Sequence, residues 1–405
     1  MPKINANITG RSIESDCFPL PSAKIRIAVI GVGALGSTVC VELHKRLQTK
    51  ARVEVLMIDP DELHPKNVPL SVAYSSIYDS SGEDVFGDAK VDLLSAHLKT
   101  SSSRSVTFIP CQSEIADVGW QDLSGCGLLV TCTDSALSRA ETAFISQSFN
   151  IPMLDGGVLG SGNPGGRVSS FMGHASSACY LCGVSEDHRA RMLGYAASAS
   201  LGCTVAERTI AMDPSDATVL SIHRTATRLV EAIAEVLNER PRGHSWAARL
   251  NPSDDRLNPS DGRSAPSSSI VWQEDRIELS RSHTCPWHER RMNLVSVLPE
   301  RPLRDSLPAV EDVKLQLPWP VSLIARCAVC GYVIRRPQRL ASLRRMRSCV
   351  SCGAESRMDP VDCISSVGES DPAAELTPRQ LGLPPRHLLF VRRSMKSYWG
   401  DREAS

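Results

Sequence analysis

The chain of 405 residues is long enough for two or three domains, and its 45 basic and 45 acidic side chains cancel. A chain without net charge has no overall field that draws it to nucleic acid or to a membrane surface. It contains no stretch of about 18 apolar residues, and its first residues lack the apolar core of a signal peptide, so we expect a cytoplasmic protein without a membrane segment. Its 14 cysteines, several in Cys-x-x-Cys pairs, favour metal binding over disulfide bonds in a reducing compartment.

The sequence of residues 25–36, IRIAVIGVGALG, joins a short apolar run to a glycine-rich turn. The run is typical of a buried parallel strand, and a helical pattern of apolar residues follows the turn. Such a junction presents bare backbone N–H groups and the positive end of a helix dipole, which together suit a phosphate. Gly31, Gly33 and Gly36 are therefore candidate nucleotide-binding residues. The pattern alone serves NAD, FAD and ATP alike, and it also fits a purely structural turn.

A second strand over residues 53–58 is followed by Asp59. An acid at this position suits the hydroxyls of a ribose, whereas the alternative is a carboxylate that caps a turn. The polar residues 60–90 then predict a long loop, and loops of this length inside a compact domain are usually functional. The stretch closes on Lys90 at a helix start. A lysine there is unfavourable without an anion nearby, so either a phosphate lies beside it or the side chain is solvated.

Two further strands are predicted over residues 106–109 and 127–132. The second delivers Thr133 and Asp134 to its carboxyl end, the edge at which open α/β sheets bind ligands. A helix that contains Arg139 follows. The Asp134 carboxylate can cap this helix or hold a Mg²⁺ ion that bridges ATP phosphates, and its position leaves both interpretations open.

Two Cys-x-x-Cys pairs in the last quarter of the chain have the spacing of a zinc ribbon. Each pair is followed by a glycine, Gly331 or Gly353, as in the tight knuckles of such sites. The pattern predicts a structural zinc site with the ligands Cys327, Cys330, Cys349 and Cys352. A redox role is the minor alternative. The basic segment between the pairs fits nucleic acid, an acidic partner protein or a solvated face, and we prefer the solvated face.

The order of these motifs resembles the ubiquitin-activating enzyme superfamily, whose bacterial members include ThiF and MoeB. The resemblance covers about residues 20–290 and rests on GVGALG at 31–36, Asp59 and Asp61, Asn67, GDAK at 87–90, CTDSALSR at 132–139 and ACYLC at 178–182. It implies an α/β protein with the Rossmann-like ThiF/MoeB adenylation fold and a mainly parallel sheet, to which the zinc ribbon adds a small C-terminal module.

By position, the resemblance implies that Asp59 holds the ribose of ATP, Lys90 its triphosphate and Asp134 the Mg²⁺ needed for adenylation. Asp61 and Asn67 complete the implied nucleotide-binding set together with the three glycines.

One departure from the family pattern concerns phosphate binding. The family normally has an arginine three residues beyond the asparagine, and this chain has Leu70 there. Lys66, or Arg11 in the N-terminal arm, is a candidate to replace it.

The resemblance also implies a second structural zinc. In similar proteins another ligand pair follows the first far downstream, and here Cys285 and His288 occupy that place after Cys179 and Cys182. A site with three cysteines and one histidine is chemically sound. The alternative is that His288 is solvated and the site has three ligands or none.

The segment Gly202-Cys203-Thr204-Val205 resembles the catalytic segment of eukaryotic ubiquitin-activating enzymes. By that match Cys203 is the thiolate that attacks the acyl adenylate and forms a thioester, and the alternative is an inert cysteine. The cysteines that fall in strand or helix patterns are predicted to be small core residues: Cys40, Cys111, Cys126 and Cys132.

The implied activity is ATP-dependent adenylation of the C-terminal glycine carboxylate of a ubiquitin-like protein, followed by transfer to a conjugating enzyme. Bacterial antiviral operons of the Bil type pair an activating enzyme of this kind with a conjugating enzyme. A homodimer is the expected assembly. Within the superfamily the alternative is activation of a sulfur carrier. An NAD-dependent oxidoreductase would explain the glycine turn and Asp59 but not Lys90, Asp134 or the cysteine pairs. A non-catalytic zinc scaffold is supported only by Leu70.

The expected organisation is an N-terminal arm over residues 1–24, an adenylation domain over 25–290 and a zinc-ribbon domain over 291–405. A long amphipathic helix is predicted over residues 216–238. Residues 240–269 have little apolar content and are predicted to form an exposed loop or linker.

Overall fold

The structure is a computed structural model, and it describes only part of the chain. The described residues are 25–46, 52–100, 106–158, 165–174, 176–185, 216–238, 244–251, 271–282, 285, 293–307, 313–340, 343, 346, 348–354, 358–383 and 388–393. The predictions for the N-terminal arm with Arg11, for Cys203 and for His288 lie outside these residues.

Eight strands of the described chain form one sheet in the order β3-β2-β1-β4-β5-β6-β7-β8. Their bounds are β1 Ile25–Ile30, β2 Val53–Ile58, β3 Val106–Cys111, β4 Leu128–Thr131, β5 Met153–Val158, β6 Gly165–Phe171, β7 His244–Asn251 and β8 Val271–Glu278. The first five strands in this order pair in parallel, whereas β6, β7 and β8 pair antiparallel. The carboxyl ends of β1, β2 and β4 therefore meet at one edge, where ligands of open α/β sheets bind.

Helices cover both faces of this sheet. Their bounds are α1 Ala34–Arg46, α2 Val72–Ser81, α3 Lys90–Thr100, α4 Trp120–Ser124, α5 Ala136–Phe149 and α6 Asp216–Leu237. Ile27 and Val29 of β1 share a core with α1, α3 and α6, while Ala28 and Ile30 share the opposite core with α4 and α5. Both faces of β1 are thus apolar, as a buried parallel strand requires. None of these helices combines the length and the apolarity needed to cross a bilayer.

Two predictions of irregular structure are wrong. Residues 60–90 are not one long loop, because they contain α2 and two 3₁₀ helices, Pro65–Leu70 and Gly82–Val85. Ala73, Tyr74 and Ile77 are buried at helical spacing behind a Ser71 N-cap, and this short pattern is hidden among serines. Residues 244–251 are strand β7 rather than linker, because the backbone pairs with β6 on one side and β8 on the other.

A second sheet follows in the chain and is entirely antiparallel. Its strands are β9 Asn293–Ser296, β10 Val313–Cys327, β11 Val333–Ile334, β12 Gln338–Arg339, β13 Met358–Gly368 and β14 Leu388–Arg393. Ala116, beside α4, packs into the core of this sheet, and Arg339 forms an ion pair with Asp117. The predicted α/β class with a mainly parallel sheet and an added C-terminal module is confirmed. The predicted boundary after residue 290 falls between β8 and β9 and stays a prediction.

Candidate functional site

The turn between β1 and α1 lies at the carboxyl edge of the sheet, and two of its glycines are required by neighbouring protein atoms. Gly31 adopts a positive φ of 85°, and its N–H donates to the Ile58 carbonyl over 2.8 Å. A Cβ on Gly31 would lie 2.9 Å from the Thr133 nitrogen, and one on Gly36 would lie 1.9 Å from the Gly31 carbonyl oxygen. These two glycines let β1, β4 and α1 approach one another. Close packing of strand and helix is one of the roles that glycines have in nucleotide-binding turns of this type.

Gly33 differs from the other two glycines of this turn. It does not adopt a positive φ, and no heavy atom of the described residues lies within 4 Å of the position that a Cβ would take. The described residues therefore give no steric reason for a glycine here. A ligand that approaches the backbone closely, as a phosphate does at such turns, would give one.

Asp59 ties the glycine turn to the segment after β2. Its buried carboxylate accepts the Val32 N–H at Oδ2 over 2.7 Å and the Asp61 N–H at Oδ1 over 2.9 Å. Burial raises the pKa of Asp59, and the nearby Lys90 charge and the two backbone N–H donors oppose this rise. Each carboxylate oxygen keeps a further lone pair, so these contacts leave capacity for hydroxyl donors.

Lys90 is a buried cation at the start of α3. Its side chain is 6% exposed, and its Nζ donates to Oδ2 of Asp61 over 2.8 Å, while the Asp61 side chain is 64% exposed. The backbone fixes this pair as well, because the Lys90 N–H donates to the Asp61 carbonyl over 3.1 Å. Sequence reasoning expected an anion beside Lys90, and within the protein that anion is Asp61.

Asn67 and Leu70 lie in the 3₁₀ helix Pro65–Leu70. The Asn67 Oδ1 accepts the His64 N–H over 3.0 Å, so the amide stabilises the start of this short helix. Leu70 is half-buried, and the neighbouring Lys66 is exposed. An exposed Lys66 is available to an anion, as the proposed replacement for the family arginine would have to be.

Three residues that sequence reasoning missed hold α2 against the glycine turn. The buried Tyr74 hydroxyl donates to the Val32 carbonyl over 2.6 Å, and burial raises the pKa of Tyr74 well above its usual range. The hydroxyls of Ser37 and Ser71 lie 2.7 Å apart and join α1 to the start of α2. A serine N-cap followed by a tyrosine is only a weak sequence signal for this contact, because nothing local in the sequence shows that α2 lies beside the glycine turn.

Asp134 follows Thr133 at the carboxyl end of β4. The cap of α5 is Ser135, whose hydroxyl accepts the Ser138 N–H over 3.2 Å, so the helix-cap interpretation of Asp134 is wrong. The Asp134 side chain is exposed and makes no side-chain hydrogen bond or ion pair within the described residues. Its neighbour Thr133 lies against Gly31, so the carboxylate is placed one residue from the glycine turn.

A buried ionic cluster lies behind Thr133 and was not predicted. Asp155 of β5 is fully buried and accepts Thr131 Oγ1 over 2.7 Å and an Arg167 Nη2 over 2.8 Å. Its other ion pair is with Arg139 of α5, over 3.2 Å. A single acid inside the otherwise apolar and glycine-containing strand β5 is a sequence signal that could have pointed to it.

Cys179, Cys182 and Cys285 come together although about a hundred residues separate the last two. The Cys179 sulfur lies 3.9 Å from the Cys182 sulfur and 3.6 Å from the Cys285 sulfur. Zn–S bonds of about 2.3 Å place the sulfurs of a tetrahedral site ~3.8 Å apart, so these thiols fit zinc. The fourth ligand proposed from the sequence, His288, is outside the described residues.

The four cysteines of the C-terminal module form a second cluster with the same spacing. The sulfurs of Cys327 and Cys352 lie 4.0 Å apart, and those of Cys330 and Cys349 lie 3.8 Å apart. Each half is a knuckle: the glycine N–H donates to the first cysteine carbonyl, over 3.0 Å at Gly331 and 2.9 Å at Gly353. The geometry fits a four-thiolate zinc site.

Three of the four cysteines that were predicted to be core residues are buried in the structure. Cys40, Cys126 and Cys132 are buried, and Cys111 is half-buried. Burial raises the pKa of Cys40 to about 12 and that of Cys126 to about 11, which leaves these thiols protonated and poor nucleophiles.

No curated protein matches this chain in sequence. Among solved structures the chain is similar to E. coli MccB with ATP at 15% identity and a TM-score of 0.42, covering 65% of this chain and 66% of that chain. The same values describe E. coli MccB with AMPCPP and selenomethionine MccA. PaaA matches at 12% identity and a TM-score of 0.40, over 62% of this chain and 64% of that chain. The chain thus spans slightly less than two thirds of the MccB length.

The family assignment comes from the sequence of the first sheet. The model of the ThiF family matches residues 22–251, a range that begins before β1 and ends with β7. This range is more than half of the chain, and it contains the glycine turn, Asp59, Lys90, Asp134 and the first two cysteines of the three-thiol cluster. The chain therefore belongs to the ThiF family.

Proposed function

We propose that the chain adenylates a C-terminal carboxylate with ATP and Mg²⁺. The observation that carries the proposal is a continuous series of contacts from the glycine turn to a buried cation. Val32 of the turn donates to Asp59, Asp59 accepts the N–H of Asp61, and Asp61 pairs with Lys90. Beside this series the backbone at Gly33 is open to a ligand. An anionic ligand at the turn would meet backbone N–H donors and a lysine already held in place.

Adenylation requires that two anions meet. A carboxylate oxygen attacks the α-phosphorus of ATP, the bond from that phosphorus to the bridging oxygen breaks, and pyrophosphate leaves. A carboxylate nucleophile needs no general base, so positioning and charge neutralisation supply the rate. Lys90 would neutralise phosphate charge, and Asp59 would hold the ribose. Asp134 would hold Mg²⁺, which when bound neutralises phosphate charge and orients the triphosphate.

The second step of the proposal is thioester formation on Cys203. A thiolate attacks the carbonyl carbon of the acyl adenylate, a carbon–sulfur bond forms, and AMP leaves with the electrons of the acyl–oxygen bond. The support is the Gly-Cys-Thr-Val segment and the family assignment. The buried, protonated state of Cys40, Cys126 and Cys132 makes them poor competitors for this role.

The proposed substrate is a ubiquitin-like protein with a C-terminal glycine, and the proposed acceptor is a conjugating enzyme, as in bacterial antiviral defence pathways. A homodimer is the proposed assembly. Activation of a sulfur carrier uses the same first step, so the two candidates separate only at the second. Genes for a ubiquitin-like protein and a conjugating enzyme beside this gene would favour conjugation.

The first step is tested by ATP–pyrophosphate exchange with a glycine-terminated ubiquitin-like protein as the substrate. Lys90→Met should abolish exchange, because the buried cation that faces the anion is removed. Lys99→Met is the matched control, since Lys99 is an exposed lysine near the other end of the same helix. Equal exchange by both variants, with equal melting temperatures, would overturn the role of Lys90.

The second step is tested with Cys203→Ala. This variant should keep ATP–pyrophosphate exchange and lose a thiol-sensitive covalent adduct with the substrate, as seen on a non-reducing gel. Cys363→Ser is the control, because Cys363 is an exposed cysteine on β13. An adduct that survives Cys203→Ala would place the nucleophile elsewhere, and exchange with no adduct in the unmodified chain would favour the sulfur-carrier alternative.

A further inference from the structure

The backbone that places Asp134 is held by one arginine. Arg139 reaches back from the first turn of α5 and donates to the Thr133 carbonyl twice, from Nε over 3.0 Å and from Nη2 over 2.6 Å. The same Nη2 donates to the Gly156 carbonyl over 3.1 Å. The guanidinium therefore joins the residue before Asp134 to the middle of β5.

Arg139 is itself fixed by a buried acid. Its Nε lies 3.2 Å from Oδ1 of Asp155, which is fully buried and also accepts Thr131 Oγ1. Arg167 satisfies the other carboxylate oxygen over 2.8 Å. Removing one partner of a buried ion pair is costly, so this cluster keeps the Arg139 fork in a single orientation.

Two further contacts restrict Thr133. On one side its backbone nitrogen lies where a Cβ on Gly31 would clash, at 2.9 Å, so the residue is pressed against the glycine turn. On the other side its Oγ1 accepts the Ser135 N–H over 3.1 Å. Asp134 is between two residues whose backbones are fixed, while its own carboxylate has no partner in the described chain. Groups that hold a metal ligand in place are needed nearly as much as the ligand itself.

We infer that Arg139 is a positioning residue for the Mg²⁺-binding carboxylate of Asp134, and that Asp155 holds Arg139. This inference rests on the proposed function. The support runs from Asp155 through the guanidinium to the Thr133 carbonyl, over 3.2 Å from Asp155 Oδ1 to Arg139 Nε and 2.6 Å from Arg139 Nη2 to the carbonyl oxygen.

The test measures the apparent affinity for Mg²⁺ at a fixed ATP concentration, and ATP binding in EDTA, by calorimetry on the full chain. Arg139→Lys keeps the charge but cannot make the two-pronged contact with Thr133. We expect about 10- to 100-fold weaker apparent Mg²⁺ affinity, with metal-free ATP affinity within about twofold of the unmodified chain. Asp134→Asn should show the same separation. Arg228→Lys is the control, because Arg228 of α6 is ion-paired with Glu231 and Glu235 instead.

Wild-type Mg²⁺ affinity in Arg139→Lys, together with its loss in Asp134→Asn, would overturn the inference and leave the proposed function standing. An unmodified chain that binds no ATP would overturn both. If Arg139→Lys does not fold, Asp155→Asn decides, since it removes the negative charge that holds Arg139 and keeps the shape of the side chain. We expect a smaller loss of Mg²⁺ affinity, of roughly three- to tenfold, and an unchanged affinity would overturn the inference.

Discussion

The glycine turn after β1 and the knuckles of the C-terminal four-thiol cluster use glycine for different physical reasons. At Gly36 the reason is space, since a Cβ would lie 1.9 Å from the Gly31 carbonyl oxygen. At Gly331 and Gly353 the reason is conformation, since φ is 73° and 66° and no atom of the described neighbours lies within 4 Å of an added Cβ. At Gly33 the part of the chain that the structure describes shows neither reason. The comparison separates glycines that the protein's own packing or backbone conformation requires from Gly33, which leaves space that a ligand could occupy.

The two regions also differ in how far apart their parts lie in sequence. The four-thiol cluster closes within 26 residues, from Cys327 to Cys352, and each half is a local turn. The glycine edge combines the ends of β1, β2 and β4 with the start of α3. A change in the cluster should therefore affect the C-terminal module, whereas a change in the turn should affect the first sheet.

The largest expected effect is that of Cys349→Ser, which removes a buried thiol from the four-thiol cluster. Structural zinc contributes on the order of 10 kcal/mol to the folding of small zinc modules. We expect loss of one zinc per chain by mass spectrometry and loss of proteolytic protection over β10 to β13. Cys363→Ser, on the same module but outside the cluster, should keep both properties. Retained zinc would show that the cluster does not bind it.

Gly36→Ala should have the next largest effect. The new methyl group would meet a backbone carbonyl, which cannot move aside like a flexible side chain, and overpacking of this kind costs roughly 3 kcal/mol or more. Denaturant unfolding of the first sheet measures the change. Gly125→Ala is the matched control, because Gly125 has a φ of −86° and open space around a Cβ. Equal stability of the two variants would contradict the steric reason given for Gly36.

Gly331→Ala should destabilise less, because only the backbone conformation opposes the methyl group. A left-handed φ costs an L-residue about 1–2 kcal/mol. We expect half of the zinc to be released at a lower chelator concentration than in the unmodified chain, with the stability of the first sheet unchanged. Gly331→Asn should recover part of the loss, since asparagine tolerates this conformation better than alanine does. A Gly331→Ala variant with unchanged zinc retention would indicate that the knuckle can adopt another turn.

Local signals in the sequence were sufficient for the parts of the fold that depend on local structure. The apolar run 25–30 with its glycines predicts β1 and the turn, and the spacing of four cysteines with Gly331 and Gly353 predicts both knuckles. Helix α6 was predictable for the same reason, because its apolar residues repeat along one face. Each of these features depends on residues within one continuous segment of the sequence.

The parts that sequence reasoning missed depend on residues from distant segments. Strand β7 forms because β6 and β8 offer it backbone partners on both sides, which the linker-like composition of 240–269 conceals. Tyr74 acts on the turn only through the packing of α2 against α1, and Asp155 meets Arg139 only because β5 lies beside β4. Neither a periodic pattern nor a local motif predicts these contacts between distant segments.

Gly33→Ala should have the smallest effect on stability and the clearest effect on function. Alanine at Gly33 meets no clash with the described residues and needs no positive φ, but the Gly33 carbonyl accepts the first backbone hydrogen bond of α1, where alanine is a poorer cap than glycine. The free energy of unfolding should therefore fall by no more than about 1 kcal/mol. If the open space serves a phosphate, the methyl group must instead exclude it, and ATP affinity measured by calorimetry should fall about tenfold or more. Gly125→Ala should change neither quantity. Unchanged ATP affinity in a stable Gly33→Ala chain would remove the steric evidence for a nucleotide at this turn.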